Sequence, residues 1–186
     1  VGVPNSLINS TFTPSNLDEK NIEKIIKEKK IKIIVLEAAR YEYLDKRIAF
    51  CIKRFQDNGG ILIADEVTSG FRVEKKLAIT KLGIEPNIVV LGKSLGGGWP
   101  IAAVGCDFKY KLKLEDVFAS STFWTEQSGL LAGRLLISRL KNWDKFYIEL
   151  YNNSLSLRNY LSCMRNKKKF VNKINYVKSE IADIKY

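Results

Sequence analysis

An α/β fold with a mostly parallel sheet is predicted by three observations. Two short apolar runs, ILIADEV at 61–67 and NIVVL at 87–91, are rich in Ile, Leu and Val and end in turn residues, the pattern of strands buried on both faces. A third run of the same kind, IKIIVLE, occupies 31–37. Between it and ILIAD lies an amphipathic stretch closed by Gly59-Gly60, so strand, helix and strand make a βαβ unit.

Taken in order, the elements follow from local pattern. Asn16 with Glu19 three residues later reads as a capping box, and Leu17, Ile22, Ile25 and Ile26 then form a helical stripe that runs out in the Lys-rich KEKK. The strand at 31–37 follows. From Tyr41 to Asn58 the apolar residues Leu44, Ile48, Cys51, Ile52 and Phe55 stand at offsets of four, seven, eight and eleven, which is one face of a helix. After the strands at 61 and 87 come a Gly-rich loop, GKSLGGG, a further strand IAAVG at 101–105, and a helix from about Thr125 to Leu140.

This order places Asp65 at the carboxyl end of one strand and Lys93 just past the carboxyl end of another. In open α/β sheets, ligands bind in the crevice outside those ends. The chemistry that suits a carboxylate and an amine on one rim is that of pyridoxal phosphate. A lysine in an apolar, partly dehydrated place, here flanked by Leu91, Leu95 and glycines, becomes a nucleophile able to form a Schiff base. An aspartate facing the pyridine nitrogen keeps that nitrogen protonated, so the ring accepts electrons from a substrate carbanion. The competing structural readings are a solvated loop lysine for Lys93 and a helix cap or turn residue for Asp65.

The segment ILIADEVTSGFR, followed by LGIEPNIVVLGKSLGGGWPIAAVG, resembles the signature of class III aminotransferases. Its DEVTSGFR wording and the STFW at 121–124 make it more similar to the branch that includes glutamate-1-semialdehyde aminomutase. The resemblance spans about residues 1–160 and less than half of a typical family member. It implies an incomplete fold-type I large domain, a three-layer assembly of mostly parallel sheet flanked by helices. Residues 1–160 would be a partial cofactor-binding domain and 161–186 a divergent, basic tail.

By that resemblance, Lys93 forms the Schiff base with pyridoxal 5'-phosphate and shuttles the proton, while Asp65 binds the pyridine nitrogen. Val67 packs on one ring face if the strand continues past Asp65, and is otherwise a plain core valine. Thr122 binds the cofactor phosphate across a homodimer interface, near amides at the start of the helix from 125. Ser121 assists it or caps the helix. The reaction implied is transfer of an amino group between a small amine and a carbonyl, by transamination or by an intramolecular shift. The family's phosphate-cradling loop, its ring-stacking aromatic and its small C-terminal domain are expected outside this sequence, so the chain alone is expected to be inactive or feebly active.

The sequence departs from the family at Glu37-Ala38-Ala39-Arg40, where a glutamate is commonly followed by proline. Arg40 is a candidate for a substrate carboxylate and equally for a surface ion pair. Glu66 and Arg72 are weaker candidates, and Trp99 either closes the pocket wall or covers IAAVG.

Composition sets the remaining bounds. With 186 residues and 46% apolar content, the chain can build one sizeable core. A net charge of +11 raises the alternative of a basic nucleic-acid-binding module without catalysis. The basic clusters at 24–32 and 165–173 carry no binding motif, and a solvated surface accounts for them better. GKS at 92–94 is not a P-loop, since position 87 is Asn where a glycine is needed and the glycines follow the lysine. There is no histidine, and Cys51, Cys106 and Cys163 are far apart, which argues against a metal centre or a His-based triad. Unpaired cysteines fit a reducing, cytoplasmic setting, and no apolar run is long enough to span a membrane.

Overall fold

The computed structural model describes residues 2–14, 16–39, 44–72, 75–118, 120–123 and 126–163. A short helix α1 (Asn5–Ser10) leads into α2 (Glu19–Glu28), β1 (Ile33–Leu36), α3 (Lys46–Asp57), β2 (Ile61–Asp65), β3 (Ile88–Leu91) and β4 (Ala103–Cys106). Then come α4 (Lys111–Glu115), α5 (Gln127–Arg139) and α6 (Asp144–Cys163). The strands lie in the order β1-β2-β3-β4, with the first two pairings parallel and the last antiparallel. Ile33 faces Ile61 across the first pairing, and Asp65 faces Val90 across the second.

Alternation along the strands decides which residues enter the core. Ile34 and Leu36 of β1, Leu62 and Ala64 of β2, and Val89 of β3 turn to one face, where Ile22 and Ile26 of α2 and Ile48, Ala49 and Ile52 of α3 meet them. Leu62 and Ala64 are almost wholly buried. On the other face Ile33 and Val35 remain 52% and 66% exposed.

Helix boundaries differ from the sequence expectation in instructive ways. α2 starts at Glu19, and its cap is Asp18, whose carboxylate accepts the Asn21 N–H at 2.9 Å. Asn16 stands two residues too early for the capping box; its carbonyl accepts the Asn21 side-chain amide instead. α3 begins at Lys46 rather than Tyr41, because Asp45 caps it by accepting the Arg47 N–H. Leu44 still packs on the core from just outside the helix. At the far end Gly59 takes φ +84°, and a Cβ on Gly60 would sit 2.3 Å from the Phe55 ring, so only glycine lets the chain turn this tightly into β2.

Asn87, the residue that ruled out a P-loop, organises the entry to the sheet. Its side-chain oxygen accepts the Leu62 N–H at 2.8 Å and the Gln56 amide at 3.0 Å, while its own amide donates to Asp107. One side chain therefore ties together the starts of β2 and β3, the end of α3 and the turn after β4.

Candidate active site

The carboxyl ends of β2 and β3 form the rim predicted to carry chemistry. Asp65 is the last residue of β2, and Lys93 follows β3 by two residues, three beyond Val90, the partner of Asp65. Adjacent parallel strands thus deliver an acid and an amine to the same edge.

Each strand ends in a tight turn, and the two turns are bonded to one another. After Asp65 the chain turns over residues 67–70, closed by the Gly70 N–H donating to the Glu66 carbonyl at 2.8 Å. A Cβ on Gly70 would lie 2.7 Å from that carbonyl oxygen, so glycine is required. After β3, Lys93 opens a 3-10 turn, Lys93–Gly96, with φ +43°. Left-handed backbone costs a non-glycine residue about 1–3 kcal/mol and persists where surrounding structure enforces it, often at functional sites. Here the enforcement is visible. Lys93 Nζ donates to Thr68 Oγ1 at 2.8 Å, and the Ser94 hydroxyl donates to the Gly70 carbonyl.

Beneath the first turn sits Glu66, only 1% exposed. Its carboxylate accepts from the equally buried Ser69 hydroxyl at 2.5 Å and from the Ile79 N–H at 2.8 Å. A buried carboxylate is tolerated when its oxygens are bonded in this way. Glu66 is accordingly a structural staple between the turn and the 3-10 segment Ala78–Leu82, with both carboxylate oxygens engaged. Tyr147 of α6 adds a second brace by donating to the Phe71 carbonyl at 2.8 Å.

The expected site residues divide into two groups. Asp65, Val67 and Lys93 are brought together: Asp65 accepts the Val67 N–H at 3.1 Å, and a Cβ on Gly92 would lie 3.4 Å from a Val67 methyl. Val67 reaches this place by a different route from the one expected. β2 stops at Asp65, so strand alternation does not orient Val67; the turn does. Lys93 also departs from expectation, for its side chain is exposed rather than enclosed by Leu91 and Leu95. Leu95 points instead into the packing against α5 and is 3% exposed.

Ser121 and Thr122 form the second group. Both are exposed on the segment before α5, Ser121 accepts the Phe123 N–H at 3.3 Å, and neither hydrogen-bonds Asp65 or Lys93. The cap of α5 is Glu126, not Ser121: its carboxylate accepts the Ser128 N–H at 2.8 Å, and hydrogen bonding from the Ser128 side chain and then its backbone holds the carboxyl below its ordinary range. The helix start expected to attract a phosphate is thus partly answered by the chain's own anion. α5 is nevertheless seated against the lysine turn. Gly129 and Gly133, one turn apart, let it approach Pro100, Ile101 and Leu95 closely.

Arg40, Trp124 and Thr125 lie outside the described residues. Arg72 is exposed and Trp99 is 55% exposed. Thr68 carries no signal in the sequence, because a bond between side chains 25 positions apart leaves no periodic trace. Far from the rim, Glu19, Glu23 and Cys51 bring potential ligand atoms within 4.8 Å of one another. Glu23 is engaged there by Arg54 at 2.9 Å, and burial pushes the Cys51 thiol up. No described helix is long and apolar enough to cross a membrane.

Comparison with known proteins bears on the family and the fold. A glutamate-1-semialdehyde 2,1-aminomutase of Methanococcus maripaludis is 32% identical over 171 residues, and one of Desulfitobacterium hafniense is 34% identical over 142. Those stretches take in 86% and 73% of this chain but 39% and 32% of the relatives, so the chain spans well under half the length of the curated relatives it matches. Among solved structures, the pyridoxal-phosphate internal aldimine form of the Sphingopyxis sp. MTA144 FumI protein superposes with a TM-score of 0.74 at 21% identity, over 89% of this chain and 42% of that one. An omega-transaminase from Sphaerobacter thermophilus gives 0.71 at 19% identity, over 85% and 38%. These likenesses establish a shared transaminase fold, the expected partial large domain. The model of the class-III aminotransferase family matches residues 36–177, and the chain belongs to that family.

Proposed function

We propose that this chain carries the reactive rim of an enzyme that moves an amino group between a small amine and a carbonyl with pyridoxal 5'-phosphate. The observation that supports it is the delivery of Asp65 and Lys93 to one edge by adjacent parallel strands, with their turns bonded together. The residues suit the group by their chemistry: an exposed primary amine able to condense with an aldehyde, a carboxylate able to pair with a pyridinium, and an apolar Val67 between them in sequence. When bound, pyridoxal phosphate supplies an electron sink that makes the proton next to the substrate nitrogen acidic. Lys93 holds and returns that proton at Nζ, and Asp65 holds the ring nitrogen's positive charge.

Ser121 and Thr122 are proposed as phosphate ligands supplied to a second subunit, which accounts for their exposure and their separation from Lys93. The protein acts as a homodimer in this reading, in a reducing, cytoplasmic setting consistent with its free Cys51 and Cys106. The 32–34% identity to aminomutases favours glutamate 1-semialdehyde, or an amino aldehyde like it, as substrate.

The test is chemical. Pyridoxal phosphate added to the purified protein, followed by borohydride, places a stable pyridoxyl label on Lys93, read by peptide mass; Lys93→Ala removes the label. A label on another lysine in the unsubstituted protein overturns the assignment.

A further inference from the structure

We infer that Thr68 is a positioning residue for the Lys93 amine. The inference rests on the reading of Lys93 as the reactive group. Three observations carry it. Lys93 Nζ donates to Thr68 Oγ1 at 2.8 Å, although the side chain is otherwise exposed and a solvated lysine ordinarily samples many rotamers. Thr68 is itself held, because its turn is closed by Gly70 on Glu66 and stapled below by the buried pair Glu66 and Ser69. The turn of Lys93 is fastened to the same place by Ser94 on the Gly70 carbonyl.

The bond has a defined consequence for reactivity. A neutral primary amine keeps two N–H groups and one lone pair. With one N–H committed to Thr68 Oγ1, the lone pair is confined to directions away from the β2 turn and the Nζ atom no longer sweeps freely through solvent. An aldehyde delivered to a fixed place on the rim meets a prearranged nucleophile. A small reagent arriving from any direction meets an amine that is partly tied up. Removing the hydroxyl should therefore move the two reactivities in opposite senses.

Thr68→Val keeps the shape and deletes the acceptor; Thr68→Ser keeps the acceptor and deletes the methyl. In the full chain at one fixed pH, two labelling rates at Lys93 are read by peptide mass: acetylation by acetic anhydride without cofactor, and borohydride trapping of pyridoxal phosphate. Exposed Lys29 and Lys109 serve as internal references. A single hydrogen bond sets the scale at roughly two- to tenfold. Thr68→Val is expected to raise acetylation of Lys93 and lower its trapping by that factor, and Thr68→Ser to restore both. A variant that merely loosened the turn would move both rates the same way, which overturns the inference, as do unchanged rates or a failure of Ser to restore them. If trapped cofactor sits on a lysine other than Lys93 in the unsubstituted protein, the proposed function fails, while the acetylation rates still report whether the Thr68 bond exists.

Discussion

Asp45 shows how one side chain sets both a helix boundary and a pH response. It caps α3 by accepting the Arg47 N–H, and the Arg47 guanidinium lies against it at 3.1 Å. The hydrogen bonds from the Arg47 side chain and backbone hold the Asp45 carboxyl below its ordinary value of 3.8. A carboxyl depressed on folding stabilises the fold above its unfolded value, and that stability is lost as pH falls through the folded one. Asp45→Asn retains a cap yet cannot titrate. Thermal midpoints measured down the acid limb should thus fall less steeply for Asp45→Asn than for the parent; parallel curves would show that the cap carries no pH dependence. Legibility at this scale was uneven. Lys93 and Asp65 stood out because each ends an apolar run, whereas Thr68 and Glu66 act through bonds between turns that no spacing announces.

Elements hold the rim together through polar staples as much as through apolar contact. Asn87 answers the Leu62 N–H, which would otherwise be buried without a partner at the start of β2. Leaving a buried donor unsatisfied costs about 1–3 kcal/mol, so Asn87→Ala should lower unfolding stability by about that amount in a denaturant titration. A loss below about 0.5 kcal/mol would mean that water replaces the staple. β1, β2, β3 and β4 were readable as short apolar runs between turn residues, and the stripe of α3 named its buried face correctly. Element ends were harder. Asn16 and Asp18 are both good caps, and the helix uses the second; β2 ends one residue after its buried Ala64, so Val67 belongs to a turn. α6 leaves no apolar stripe in the sequence, because Tyr147 is its one residue in the buried core among those described.

Across the whole molecule, apolar surface is unevenly covered. α2 and α3 shield one face of the sheet, while β1 stands at its edge with Ile33 and Val35 more than half exposed. An exposed apolar edge strand is a template for pairing with another chain, and a lysine there blunts it. Light scattering on the purified chain should show mass rising with concentration, and Val35→Lys should reduce that rise; an unchanged profile would place the association elsewhere. The basic charge belongs in part to the same surface economy. Lys24 and Lys27 lie on the exposed side of α2, Lys24 beside Glu28 at 4.0 Å, which is how a solvated helix face looks.

The strands stand in the sheet in the order in which they occur along the chain. Ile33 pairs with Ile61 and Ile63 with Ile88, so each parallel pairing joins partners less than thirty residues apart. Closing loops of this length is entropically mild, since each doubling of loop length adds only about 0.6 kcal/mol. During synthesis, acid and amine can therefore meet as soon as the third strand docks on the second, before the helices beyond Cys106 have left the ribosome.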